Sequence, residues 1–383
     1  MTGHIRRRSP GSWEIKFDAG RDPLTGKRRT RFVTIKGSRK VAQQELRRLL
    51  AAVDEGRLIE PSKTTLAQFL DRWESWAATQ VSGKTLERYS ELLRHHVRPH
   101  LGPAQIQKLR PVNFAELYGH LQKPKIENGA GLAPRTVGHV HRLLHRIFGH
   151  AVKWGVVAIN PVASAEPPRV QRTEIEILEP EEIKMVLHAL RGRPLYPIAV
   201  IALATGMRRG EIAALRWGDV DLDGGRIRVE RSLEQTNTGL AFKAPKTKAG
   251  RRSISIPPSI IAELRDHWRR QQELRLAFGM GKANPDDLVF AREDGNTWPP
   301  DSMTTAWQKT VASLKLPKIT LHALRHTHVS QLIASGLDVV TVSRRIGHSN
   351  PTVTLGVYSH LFGNTDERAA AAVETALAPA FAE

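Results

Sequence analysis

Cysteine is absent from all 383 residues, which removes disulfides, thiolate metal sites and cysteine nucleophiles together. Long apolar runs are missing too. No stretch reaches the ~18 residues of a membrane-spanning helix, so no membrane partner is expected. Met1–Arg8 is basic with no apolar run behind it, and no secretory signal is expected there. Acidic side chains are few: 38 Asp and Glu face 58 Lys and Arg, leaving a net charge of +20 and a pI near 10.6. That surplus calls for a polyanionic partner, and nucleic acid is the usual one. No carboxylate cluster of the kind a metal-dependent transposase uses is found. Tyrosine is scarce, with only Tyr89, Tyr118, Tyr196 and Tyr358.

What is present reads as mainly α with small β elements, an α+β class. Residues 1–58 carry short alternating runs at Ile5–Arg8, Trp13–Phe17 and Arg29–Ile35, split by Pro10-Gly11 and by Asp22-Pro23 with Gly26. A helical stretch follows over Arg39–Asp54. A basic three-stranded sheet with one helix has a thin core and suits a DNA groove; a cap on the next domain is the plainer alternative. Residues 63–160 read as all-helical. Leu66, Phe69, Leu70, Trp73 and Trp76 form one stripe, Thr85 is placed to cap a second helix, and further helices are expected over Pro111–Leu121 and Pro134–Trp154. The last of these carries His139, His141, His145 and His150 with Arg142, Arg146 and Lys153. His141 and His145 have metal-pair spacing but no third ligand nearby, so a basic face on DNA phosphates is the better reading. Pro161, Pro167 and Pro168 mark an expected linker over 161–174. Residues 175–383 form the largest domain, helical with strands expected near Arg226–Arg231, Phe242–Lys246, Arg252–Ile256 and Leu288–Ala291. Gly279-Met280-Gly281-Lys282 lacks the spacing of a phosphate loop and reads as a helix-ending turn.

Several cations in this last region flank one late phenol. Arg208 opens a helix after Thr205-Gly206, where backbone N–H groups also meet an anion. Glu211 is placed to hold an arginine or a backbone donor. Lys246 lies between two expected strands, on a tip that can reach into a groove; Lys243 and Lys248 are alternatives. His322 and Arg325, three apart, share a helix face. Arginine offers a planar fork for two phosphate oxygens, and histidine a bond or a proton. His326 makes a metal-pair spacing with His322, but Arg325 between them repels a cation. His348 ends a helix from Val339, and Pro351 starts the one that carries Tyr358. Such a set suits a phosphodiester attacked by a phenol, with no metal or other cofactor.

These residues sit in Thr205-Gly206-Met207-Arg208-Arg209-Gly210-Glu211, Pro245-Lys246-Thr247, His322-Ala323-Leu324-Arg325-His326-Thr327, Gly347-His348-Ser349 and Val357-Tyr358-Ser359-His360. In that order, over 180–362, the chain resembles the tyrosine recombinases, also called phage-type integrases. The resemblance implies a catalytic set of Arg208, Lys246, His322, Arg325, His348 and the nucleophile Tyr358. It implies a catalytic domain over 175–383 with a C-terminal oligomerisation tail, a helical core-binding domain over 63–160 and an arm-type DNA-binding domain over 1–58. The expected function is site-specific recombination that integrates or excises a phage or mobile element through a 3′-phosphotyrosyl intermediate. The expected partners are double-stranded DNA attachment sites and three further copies in a homotetramer passing through a Holliday junction, with room for a directionality or host DNA-bending factor. The expected place of action is the bacterial cytoplasm, at the nucleoid. Two alternatives stay open: a type IB topoisomerase-like enzyme, which would relax DNA without paired sites, and a DNA-binding regulator that kept the fold.

Overall fold

A computed structural model describes residues 3–21, 26–54, 59–171, 175–245, 248–317, 319–361 and 366–381. The chain divides into two compact units, Met1–Arg172 and Thr173–Glu383.

In the first unit, β1 (Gly3–Ser9), β2 (Ser12–Arg21) and β3 (Arg28–Lys36) form an antiparallel meander in that order. The pleat puts Ile15 and Phe17 on one face, and Val33 pairs directly with Ile15. Against this face α1 (Arg39–Asp54) lays Ala42, Leu46, Leu49, Leu50 and Val53. Among the described residues of this layer, only Ile15, Phe17, Ala42 and Leu49 are buried. At about 1.5–3 kcal/mol for a large side chain, that is a thin core.

The helical part of this unit comprises α2 (Leu66–Ala78), α3 (Gly83–Leu92), α4 (Arg98–Leu101), α5 (Pro111–Gln122) and α6 (Pro134–Lys153), with a π-helical turn at Leu93–Val97 joining α3 to α4. A reciprocal cap starts α2: Thr65 Oγ1 accepts from the Gln68 N–H, and Gln68 Oε1 accepts from the Thr65 N–H. Leu66, Phe69, Leu70, Trp73 and Ala77 are then buried in a core shared with Val140, Leu144, Ile147 and Phe148 of α6. Ser82 rather than Thr85 precedes α3, because Ser82 holds the extended backbone that a helix start needs; Thr85 falls in the first turn. The expected linker also begins late. Asn160 Oδ1 accepts from the Val162 N–H at 3.0 Å, Pro161–Ser164 forms a 3₁₀ turn, and Val162 and Ala165 are buried in the helical core.

The second unit holds α7 (Pro180–Leu190), α8 (Tyr196–Thr205), α9 (Arg209–Ala213), β4 (Val220–Asp221), β5 (Arg226–Val229), β6 (Ser232–Thr236), β7 (Gly239–Lys243), β8 (Arg252–Ser255), α10 (Pro258–Ala277), α11 (Pro300–Ser313), α12 (Leu321–Ala334), α13 (Val339–Ile346), α14 (Pro351–Tyr358) and α15 (Asp366–Phe381). Ile198 to Ala202 of α8 are all buried, so this helix is central, and α12 packs along it. Two sheets flank the helices, β4-β5-β8 and the hairpin β6-β7.

Three expectations change here. The strand expected over Phe242–Lys246 runs over Gly239–Lys243 and pairs with β6, while β8 pairs with β5. β7 and β8 therefore lie in different sheets and do not form one hairpin; Lys246, between them, lies outside the described residues. Pro245, which has no N–H to donate, follows the end of β7. Leu288–Ala291 forms no strand; Leu288 and Ala291 make isolated bridges to Arg216 and Thr297. The helix expected to continue from Arg208 through Trp217 stops at Ala213, and the Trp217 N–H turns to Asp287 O at 3.0 Å.

Candidate active site

Two helix ends are gripped by one guanidinium. α8 ends at Gly206, whose φ of +63° is left-handed and where a Cβ would lie 2.7 Å from His328 Cδ2. α13 ends at Gly347, with φ +70° and a Cβ position 2.9 Å from Arg252 Nη1. Arg325, on the buried side of α12, donates to Gly206 O and, at 2.8 Å, to Ile346 O. These carbonyls would otherwise be left over at the helix ends. The residue is 3% exposed. Burial, and then the neighbouring Arg208 charge, pull its pKa down to about 9, so it stays cationic at neutral pH.

A second network fixes Arg208. Its backbone N–H and its Nη1 each donate to Glu211 at 2.9 Å, and its Nη2 donates to Gly347 O at 3.2 Å. Glu211 thus performs both tasks expected of it. Its side chain is 3% exposed, while that of Arg208 is 41% exposed and faces outward. Arg252 completes the network. It donates to Glu211 Oε2 at 2.8 Å, to Arg345 O at 2.8 Å and to Gly250 O at 3.1 Å. Burial alone would raise the Glu211 pKa; hydrogen bonding and charge from Arg252, with the Arg208 contacts behind them, outweigh it and hold the carboxyl below its ordinary value.

The histidines and the phenol complete the cluster. Thr320 caps α12 by accepting from the Ala323 N–H, which sets the first turn that carries His322. His322 sits at the exposed rim, and its ring lies edge-on to His326 at 4.8 Å. Packing around the ring, then Arg325, Arg208 and Arg209, lower its pKa. His348 Nδ1 lies 2.9 Å from Thr354 Oγ1. Burial and then Arg325, Arg208 and Arg252 push it to about 4, so it is neutral at pH 7. Asn350 and Pro351 start α14, which delivers Tyr358 at its last residue, 2% exposed. Burial raises the phenol to about 12, against an opposing pull from Arg325. The Tyr358 hydroxyl lies 2.5 Å from His326 Nδ1.

Arg208, His322, Arg325, His348 and Tyr358 therefore gather at one place, where fixed positive charge meets a phenol. Lys246 lies outside the described residues. Sequence reading missed Arg252 and the pairing of His326 with Tyr358. A signal for the first was available: Arg252 shares strand parity with the buried Ile254 and Ile256, so its side chain points inward while Arg251 points out. In the first unit, His141 Nδ1 is paired with the Tyr118 hydroxyl at 3.0 Å rather than poised beside His145 as a ligand. A cavity of about 270 Å³ lined by Tyr196, His267, Leu274, Phe290 and Trp298 contains none of the clustered residues.

Known proteins resemble this chain over most of its length. The model of the phage integrase family matches residues 176–364, and that of the phage integrase N-terminal SAM-like domain matches residues 65–122, together well over half of the chain. A tyrosine recombinase XerC-like protein of Caldanaerobacter subterraneus subsp. tengcongensis is 28% identical over 344 residues, 85% of this chain and 86% of that protein. Among solved structures, the Tn1549 transposon integrase in complex with transposon right end DNA superposes with a TM-score of 0.67 at 22% identity, over 82% of this chain and 100% of that one. A lambda integrase tetramer bound to a Holliday junction gives 0.56 at 19% identity, over 91% and 96%. The chain belongs to the phage integrase family of tyrosine recombinases and is a site-specific DNA recombinase.

Proposed function

We propose that this recombinase cuts and rejoins DNA at the attachment sites of a mobile element through a 3′-phosphotyrosyl link at Tyr358. The observation that carries the reading is the buried Tyr358 hydroxyl, placed in a cluster with two guanidiniums that backbone carbonyls and Glu211 hold in position. The phenolic oxygen attacks the scissile phosphorus, the bond from phosphorus to the 5′ oxygen breaks, and Lys246 protonates that oxygen. Arg208 and Arg325 bind the non-bridging oxygens as charge builds on them, with no reorganisation needed at that moment. His322, at the rim, and His348, oriented by Thr354, add hydrogen bonds to the phosphate. One ester replaces another, so the step consumes no nucleotide and the residues supply its charge without a metal.

The same reading assigns the rest of the chain. Residues 1–58 act as the arm-type DNA-binding domain and 63–160 as the core-binding domain. In the latter the exposed Arg135, His139, Arg142 and Lys153 of α6 face phosphates. Residues 175–383 are catalytic, and α15 docks on a neighbouring copy in a homotetramer on DNA. A directionality or host bending factor acts beside it, in the bacterial cytoplasm at the nucleoid. The transposon integrase in complex with DNA and the tetramer bound to a Holliday junction among the structural neighbours support the DNA partner and the tetramer.

The test is a nicked suicide duplex incubated with full-length Tyr358→Phe protein. Wild type is expected to trap a protease-sensitive protein–DNA conjugate and the variant to bind DNA without trapping one. A conjugate that persists in Y358F removes Tyr358 from the role.

A further inference from the structure

Tyr358 has one hydrogen-bond partner among the described residues, and it is not one of the residues that the cleavage scheme uses. His326 Nδ1 lies 2.5 Å from the Tyr358 oxygen, while the two residues are 32 apart in sequence. The contact is built. His326 follows Arg325 on α12, so the grip of Arg325 on Gly206 O and Ile346 O also fixes the turn that presents the imidazole. His322, one turn earlier, stands edge-on to it at 4.8 Å. The phenol comes from the last residue of α14, and with the neutral imidazole protonated on Nε2 its hydroxyl donates to Nδ1.

We propose that His326 is a catalytic residue for the recombination reaction, the group that takes the Tyr358 proton as the phenol attacks and returns it when strands are rejoined. The inference rests on the reading of Tyr358 as nucleophile. In the forward step the phenolic O–H bond breaks as its oxygen bonds to phosphorus, and the proton passes to His326 Nδ1. The bond from phosphorus to the 5′ oxygen breaks, and that oxygen takes a proton from Lys246, as in the cleavage scheme above. In the reverse step the 5′-hydroxyl gives that proton back to Lys246 as it displaces the tyrosine, and the proton on His326 returns to the phenolic oxygen. No oxidant, reductant or further reactant is needed.

The electrostatics fit a base that waits. The groups facing His326 are His322 and Arg325 on its own helix, Tyr358 on α14 and His348 beyond α13. Burial, then His322 and Arg325, hold its pKa at about 4, so the ring is neutral at pH 7, and the tautomer protonated on Nε2 leaves Nδ1 free to accept. An arriving phosphate brings negative charge beside it and raises its affinity for a proton as the phenol becomes acidic through bonding to phosphorus. With no DNA the proton stays on the phenol, whose own pKa is about 12.

The test measures single-turnover cleavage by the full-length protein of a duplex bearing its own core half-site, with sulfur replacing the bridging 5′ oxygen at the scissile phosphate. Sulfur leaves without a proton, so the rate reports the attack of Tyr358 alone. His326→Ala should slow cleavage by about 100-fold or more, with gel-shift binding unchanged. His326→Asn is the deciding variant: its side-chain oxygen can accept the same hydrogen bond but cannot carry the proton. It should remain slow, and its rate should climb with pH across the range where the wild-type rate is flat, because the phenol must then ionise unaided. An H326N rate within threefold of wild type with the same pH profile overturns the proposal and leaves His326 as packing. Tyr358→Phe runs beside these variants. A conjugate formed by Y358F refutes the nucleophile, whereas an inert Y358F beside a fast H326N refutes His326 alone.

Discussion

Arg252 donates to Glu211 at 2.8 Å with only 6% and 3% of the two side chains exposed, and through this pair the connection that follows Lys246 is tied to the carboxylate that holds Arg208. Arg252 also reaches Arg345 O, next to the turn that presents His348. One buried cation thereby ties β8 to the segments that carry Arg208 and His348.

Breaking one side of a buried pair leaves the other charge uncompensated, at a cost of about 3–5 kcal/mol. Arg252→Ala leaves Glu211 its two contacts from Arg208, so it should lower the stability of the second unit by less than that full cost and reduce cleavage with it. Arg252→Lys keeps the charge but cannot span Glu211 and Arg345 O together, so it should recover only part of both. Urea unfolding of the full-length protein, read at the transition of the second unit, checks this. An R252A midpoint equal to wild type would show that the pair contributes nothing net.

The pH dependence follows from Glu211. Its folded pKa lies below the ordinary 4.5, so its contribution is fully present above that value and is lost as pH falls through the folded value. The stability difference between wild type and Glu211→Gln should be largest near pH 7 and shrink below pH 4.5. A gap that stays constant down to the acid limit would contradict the assignment of the ionised carboxylate as the stabilising form.

The α6 face gives a prediction about DNA. Arg135 and Arg142 are exposed on it. Each phosphate contact removed should reduce the slope of log affinity against log salt by about 0.9. Arg135→Ala with Arg142→Ala should flatten the slope by about twice that, at any DNA sequence, while leaving unfolding nearly unchanged. Fluorescence anisotropy across a salt series measures it, and parallel slopes for mutant and wild type would take this face off the DNA.

The motifs made the second unit legible because the chemistry proposed for it needs particular side chains at particular helix ends: Arg208 after Gly206, His348 after Gly347, Tyr358 after Pro351. The α2 stripe and the alternation in β2 were legible for the same reason, since one face of each is buried. The β6–β7 hairpin was not. Ser232–Thr236 is largely polar and Phe242 is exposed, so no inward face marks it. Leu-Val-Phe at 288–290 carries strand-like residues, yet Val289 and Phe290 pack into the core of the second unit without a partner strand. His326 was read only against His322, four residues away. Its partner, Tyr358, comes from a different helix, and no spacing rule within one helix could have found it.

With the catalytic role proposed for Arg325, its double grip on Gly206 and Ile346 means that folding and reactivity draw on the same guanidinium. A lysine there would present one compact charge and could not hold both chain segments in one plane. Copies of this enzyme that lose the cation by drift would loosen two helix junctions as well as their catalytic charge, so a dead yet well-folded descendant is hard to reach by changing this position alone.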